Sequence, residues 1–218
     1  MKLFIIGGTI ILMEHSHLKD SRTCWIPYQK EIMDHSGDEF RITSDCHNPS
    51  KPHETFFLNL LIEEAYRLFP EDLKPRHFTD FEHCDECREH DETLRTHSRE
   101  SITYAELGNP GYDPMCFVDE HGMKYYFPAL VRLALRSTIK EYYVDQFLLH
   151  ISYNRSCIRF SRVQCSLVIR VLKLLKIRFA DEIELLGHSD EMRKCLERWY
   201  GLLEKCNHEE RSESVGKR

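Results

Sequence analysis

The sequence predicts an α+β fold that is mainly α-helical, a helical domain carrying one small β-hairpin. Apolar residues recur at helical spacing in successive segments between residues 50 and 206. Two short apolar and aromatic runs, "MCFV" and "MKYYF", flank Asp119-Glu120-His121-Gly122, a connection of hairpin length with glycine in its last place. Hydrophobic residues make up 41% of the 218 and aromatics 11%, enough for a real core and too much for wholesale disorder. The expected organisation is an irregular N-terminal extension over 1–49, a helical α+β domain over 50–206, and a disordered tail over 207–218.

The chain opens with "MKLFIIGGTIILM", a lysine and then an apolar run. Glu14, His15 and His17 follow with no small-x-small cleavage pattern, and the run is too short to span a bilayer. A strand or loosely packed segment of a cytoplasmic protein is expected, with no stable membrane span; a weak membrane anchor is the alternative. "IIGGTI" lacks the G-x-G-x-x-G spacing of a dinucleotide fingerprint. Residues 14–52 show no sustained period and read as irregular.

A first helix starts near Ser50 and Pro52, aligns Phe57, Leu60, Leu61, Ala65 and Leu68, and stops at Pro70. A second, free of glycine and proline, runs from about Cys84 to His97. A short third, Thr103 to Leu107, ends at "GNPGYDP". The hairpin follows near 115–127, with a type I turn, and Pro128 then opens a helix carrying Leu130, Leu133 and Ala134. A further helix spans Tyr143, Phe147 and Ile151. Ser161 and Gln164 form a capping box ahead of "VQCSLVIRVLKLLKI", and Ser189 caps the last helix, with Met192, Leu196, Trp199, Leu203 and Cys206 on one face.

Nine cysteines, odd in number and irregularly spaced without an export signal, argue against a disulfide framework and for metal or thiol chemistry. They focus attention on "HFTDFEHCDECREHDETL", residues 77–94, which holds three histidines, two cysteines and seven carboxylates. Cys84 and Cys87 form C-x2-C, a spacing that lets two thiolates grip one tetrahedral ion. Helical rotation puts His83, Cys87 and His90 on one face with Cys84 on its flank, and a turn before Cys87 would bring all four together. The expected zinc ligands are therefore Cys84, Cys87 and His90, with His83 or His77 completing the set. Outside donors are His97, Cys116 and the Cys46, His47 and His53 group.

Three readings of this segment compete. A structural zinc ion would contribute on the order of 10 kcal/mol, comparable to a domain's whole stability. Alternatively, the cysteines are small buried hydrophobes and the charges a solvated helix face. In the third, a helix N-terminus lowers a thiol pKa and the Cys84/Cys87 pair cycles with a disulfide, or Glu86 and His90 act as an acid–base pair.

Elsewhere, Asn109 and Asp113 lie on a turn-rich loop that reads as a rigid corner or a ligand loop. Tyr112, Phe117, Tyr125, Tyr126 and Phe127 are expected to pack the hairpin onto the helices. Residues 161–178 form a basic helix with Arg162, Arg170, Lys173 and Lys176 opposite Val163, Leu167, Val171 and Leu174. Its basic face is either simply solvated or docks an acidic protein partner, which a second copy's 71–100 segment would supply in a homo-oligomer. The net charge of −6 makes nucleic acid the weakest candidate. No Ser-His-Asp order, phosphate loop, H-E-x-x-H or kinase-like set is present.

"HCDECREHDETL", "LGNPGYDPMCFVDEHGMKYYFPALVRLAL" and "FSRVQ" together resemble a bacterial family of uncharacterised proteins. Its members carry an HCxECxEHxETL, LGNPxxDP and YYxPALxRL succession. The resemblance covers roughly residues 53–178, and residues 1–50 do not share it. It implies a bacterial, cytoplasmic protein in which Cys84, Cys87 and His90 are notable positions, and it assigns them no role. The leading expectation is a metal-stabilised binding or regulatory module. An enzyme using Glu86/His90 or a Cys84/Cys87 redox pair, and a metal-free interaction scaffold, stand as alternatives.

Overall fold

The computed structural model describes residues 2–6, 9–13, 51–71, 74–153 and 160–216. The expectations for residues 14–50, including Cys46 and His47, fall outside these. The chain divides into two compact units, Met1–Ser50 and Lys51–Arg218. In the first, β1 (Lys2–Ile6) pairs antiparallel with β2 (Thr9–Met13), Ile6 opposite Thr9 and Lys2 opposite Met13.

The second unit is helical, and the α+β expectation is corrected: no strand occurs among its described residues. Its helices are α1 (Lys51–Leu68), α2 (Asp85–Thr96), α3 (Tyr104–Leu107), α4 (Glu120–Leu135), α5 (Val144–Tyr153), α6 (Arg162–Arg178), α7 (Ala180–Leu185) and α8 (Ser189–Gly216). A 3-10 turn, Pro114–Cys116, precedes α4. The helix α8 continues to Gly216, through the segment expected to form a tail. No helix among the described residues is long and apolar enough to cross a membrane.

The expected hairpin at 115–127 is instead the 3-10 turn followed by the first half of α4. What resembled a hairpin turn is a helix start: the Asp119 side chain accepts from the Gly122 N–H at 2.7 Å, and Glu120 sits in the first turn. Gly122 is needed for close packing, since a Cβ there would lie 3.1 Å from the Val118 Cβ and 3.2 Å from the Phe78 ring. The aromatic run that suggested a strand shows no alternation, every residue from Tyr125 to Val131 being buried. A strand exposing one face alternates, whereas a helix enclosed on all sides does not. Pro128 therefore lies inside α4 rather than opening it.

The core gathers around α6, which packs against α8, α1 and α4. Leu167, Val168, Val171, Leu172 and Leu175 are fully buried, and the Ser161–Gln164 capping box forms as expected, Gln164 also donating to the Leu68 carbonyl at the end of α1 at 2.9 Å. The basic-helix expectation is altered here. Val163, assigned to the apolar stripe, is 55% exposed. Arg170, assigned to the free basic face, makes two 2.7 Å hydrogen bonds to the Glu64 carboxylate on α1. Lys173 lies over the Tyr200 ring, 5.6 Å from its centroid. Part of the basic face is thus occupied within the unit.

Because a bidentate guanidinium–carboxylate pair is geometrically specific, Arg170→Glu should lower unfolding free energy by about 1–3 kcal/mol in urea titrations. The exchanged pair Glu64→Arg/Arg170→Glu should recover part of that loss. An Arg170→Glu protein as stable as the parent would show that the contact contributes nothing.

Candidate metal centre

The approach to α2 is a turn in which the His83 N–H donates to the Asp80 carbonyl at 3.0 Å. Cys84 then takes extended geometry, φ −161° and ψ 170°, and caps the helix with its sulfur, which accepts from the Cys87 N–H at 3.4 Å. Asp85 and Glu86 fall in the first turn, where the helix dipole favours negative charge. The turn brings His83 back over the helix, its Nδ1 3.7 Å from the Cys87 Sγ. One donor atom each from His83, Cys84 and Cys87 lies within 4.8 Å of the other two. A tetrahedral ion with bonds of about 2.0–2.3 Å holds its ligands about 3.3–3.8 Å apart, so small side-chain adjustments suffice.

The two thiols differ in character. The Cys87 backbone N–H, then the Cys87 and His83 side chains, hold the half-buried Cys84 thiol below its ordinary range. The hydrogen bond with Cys84, followed by desolvation and the charges of Cys84, Asp80 and Glu86, pushes the buried Cys87 thiol up. Cys84 at the helix N-terminus is therefore biased toward thiolate relative to Cys87.

Other nominated residues lie apart from this convergence. His90 is fully buried, with Phe117 stacked on its ring at 4.4 Å and Tyr112 at 4.3 Å. It does not join the donor group of His83, Cys84 and Cys87. Its Nε2 is 3.7 Å from the Glu86 carboxylate, which is half-exposed. His77 stacks on Phe81 and bonds to Asp91 through Nδ1 at 2.8 Å, and His97 donates through Nδ1 to the Thr93 carbonyl at 2.8 Å. A shallow depression elsewhere is lined by Thr103, Tyr104, Arg132, Leu133, Arg136 and Glu141, and Glu86, His90 and Asp113 are not in its wall.

Sequence reasoning missed Asp91. Its carboxylate is 2% exposed and accepts from the Phe78 N–H at 2.6 Å, the Thr79 N–H at 3.4 Å and His77 Nδ1. Thr79 completes the tie by donating through Oγ1 to the Cys87 carbonyl at 2.7 Å. The segment leading into the Cys84 turn is thus fastened to the helix that the turn begins. The signal was present: the buried stripe of α2 is Cys87, His90, Asp91 and Leu94, and an acid on such a stripe requires donors. At the far end of α2, the Tyr126 hydroxyl donates to the carbonyls of Leu94 and His97.

A second group of donors comprises Asp113, Cys116 and His150, also within 4.8 Å of one another. Asp113 caps the 3-10 turn, its Oδ1 accepting from the Met115 N–H at 2.9 Å, and its Oδ2 lies 2.9 Å from His150 Nε2 on α5. The "GNPGYDP" loop is thus a corner anchored by a buried pair, while Asn109 turns back to accept from the Gly111 N–H at 3.0 Å. Comparison with known proteins finds no matching family model, no similar curated protein and no similar solved structure.

Replacing Asp91 with alanine leaves two buried backbone donors unmatched and should cost about 3–5 kcal/mol by chemical denaturation. Asp91→Asn, which keeps an acceptor, should cost less. Equal losses from both variants would mean that hydrogen bonding to this side chain is not what fastens the segment.

Proposed function

We propose that the protein is a cytoplasmic, metal-stabilised binding or regulatory module in which zinc is held by His83, Cys84 and Cys87. The supporting observation is the convergence of one imidazole and two sulfur donors at the first turn of α2. Two thiolates and an imidazole are a donor set that suits zinc, and three protein ligands leave one coordination position for water, a carboxylate or a partner's side chain. His90, enclosed by Tyr112 and Phe117, is not placed to fill that position without rearrangement. In this reading the ion neutralises the mutual repulsion of two thiolates and secures a polar turn to the helix it begins. The resemblance to uncharacterised bacterial proteins adds a bacterial setting.

A second reading is favoured by the two sulfurs lying within 4.8 Å of each other at the start of α2. A lowered Cys84 and a raised Cys87 at a helix N-terminus would suit a dithiol that closes to a disulfide when an oxidant accepts two electrons and two protons. The two readings diverge in what the purified protein carries.

Elemental analysis of untagged protein prepared under reducing conditions should give about one tightly held zinc at this centre, lost in Cys84→Ser and in Cys87→Ser. Chelation should lower the melting temperature. Metal-free protein that melts at the same temperature would overturn structural zinc. Reversible Cys84–Cys87 disulfide formation in such protein would favour the dithiol.

A further inference from the structure

We propose that Asp113, Cys116 and His150 form a second site, for a divalent transition-metal ion of zinc's class, independent of the centre at α2. Their oxygen, sulfur and nitrogen donors come from two elements distant in sequence, the 3-10 turn with its cap and α5, yet lie within 4.8 Å of one another. Asp113 and His150 are buried, their side chains 1% and 2% exposed, while Cys116 is exposed at the surface end of the group. An entry path therefore exists at the thiol, and two ligands are fixed by packing behind it.

The Asp113–His150 pair alone could fasten the loop to α5. Two further features are not explained by that task. The Cys116 sulfur stands within 4.8 Å of the Asp113 carboxylate. A divalent cation between them would take both as ligands. Beside them, Tyr143 is wholly buried, and its hydroxyl has no hydrogen-bond partner among the protein atoms. A water or anion on the cation's remaining coordination position would give this hydroxyl a partner. One carboxylate, one imidazole and one thiolate suit a borderline metal better than calcium or magnesium. On binding, the Cys116 S–H bond breaks, its proton leaves to solvent, and a sulfur–metal bond forms. The neutral imidazole ligates through Nε2, which gives up the proton it donates to Asp113 while Nδ1 takes one, so the ring changes tautomer with no net change in charge, and no electron transfer is involved.

The test is a cobalt(II) titration of metal-stripped, reduced full-length protein beside Cys116→Ser, whose exposed position should preserve the fold, as circular dichroism will check. The parent should bind one equivalent more than the variant, and the extra equivalent should carry a thiolate-to-cobalt absorption band. Equal stoichiometry and equal affinity in the two proteins would overturn the proposal. Failure of the α2 centre would lower both stoichiometries alike and leave their difference intact.

Discussion

A single carboxylate on the inner face of α2 connects the chemistry of this protein to its core. Asp91 accepts from the Phe78 and Thr79 amides and from His77, and so joins the chain before the Cys84 turn to the helix after it. Phe78 is itself fully buried, packed on Tyr125 and Tyr126 and against Gly122 of α4, and its carbonyl accepts from the Asp119 N–H at 3.1 Å. The turn from Asp80 to Cys84 is therefore anchored on one side by the aromatic core and on the other by α2. With those ends fixed, the loop has few ways to close, and the geometry observed brings His83 over Cys87. A buried charge is costly without partners, so Asp91 tolerates little movement of the amides that satisfy it.

The two donor groups are assembled differently. His83, Cys84 and Cys87 belong to one turn and one helix start, and a local fold of the chain suffices to bring them together. Asp113, Cys116 and His150 converge only when α5 docks beside the 3-10 turn, since Asp113 and His150 lie 37 positions apart. Aromatic side chains near α2 link the regions. Tyr112 and Phe117, which flank the second group in sequence, enclose His90 on α2. Tyr112 also donates through its hydroxyl to Glu89. The histidine that sequence spacing nominated as a ligand is thus enclosed between α2 and the loop, both its ring nitrogens buried without a hydrogen-bond partner.

Much of the helical plan was legible because it rests on local chemistry. The capping box at Ser161 and Gln164, the helix over Phe57 to Leu68 and the helix beginning at Cys84 follow from capping residues and apolar spacing. The hairpin was misread because Asp119 to Gly122 satisfies a turn and a helix start equally well. The aromatic residues after it favour strands only when no tertiary burial decides otherwise. The convergence of His83 with Cys87 was legible in the C-x2-C spacing and its flanking histidine. The exclusion of His90 was not, since helical phase places it on the same face, and only the docking of Tyr112 and Phe117 determines where its ring goes. Asp91 and the Asp113–His150 pair were missed for a related reason. Their partners are backbone amides or a distant helix, and a linear sequence does not display such neighbours.

The central claim is that one imidazole and two sulfurs near position 87 share a metal ion. X-ray absorption at the zinc edge, on Cys116→Ser protein purified under reducing conditions, tests it most directly. The account predicts two sulfur scatterers at about 2.3 Å with imidazole nitrogen at about 2.0–2.1 Å. A coordination shell containing only oxygen and nitrogen would contradict it.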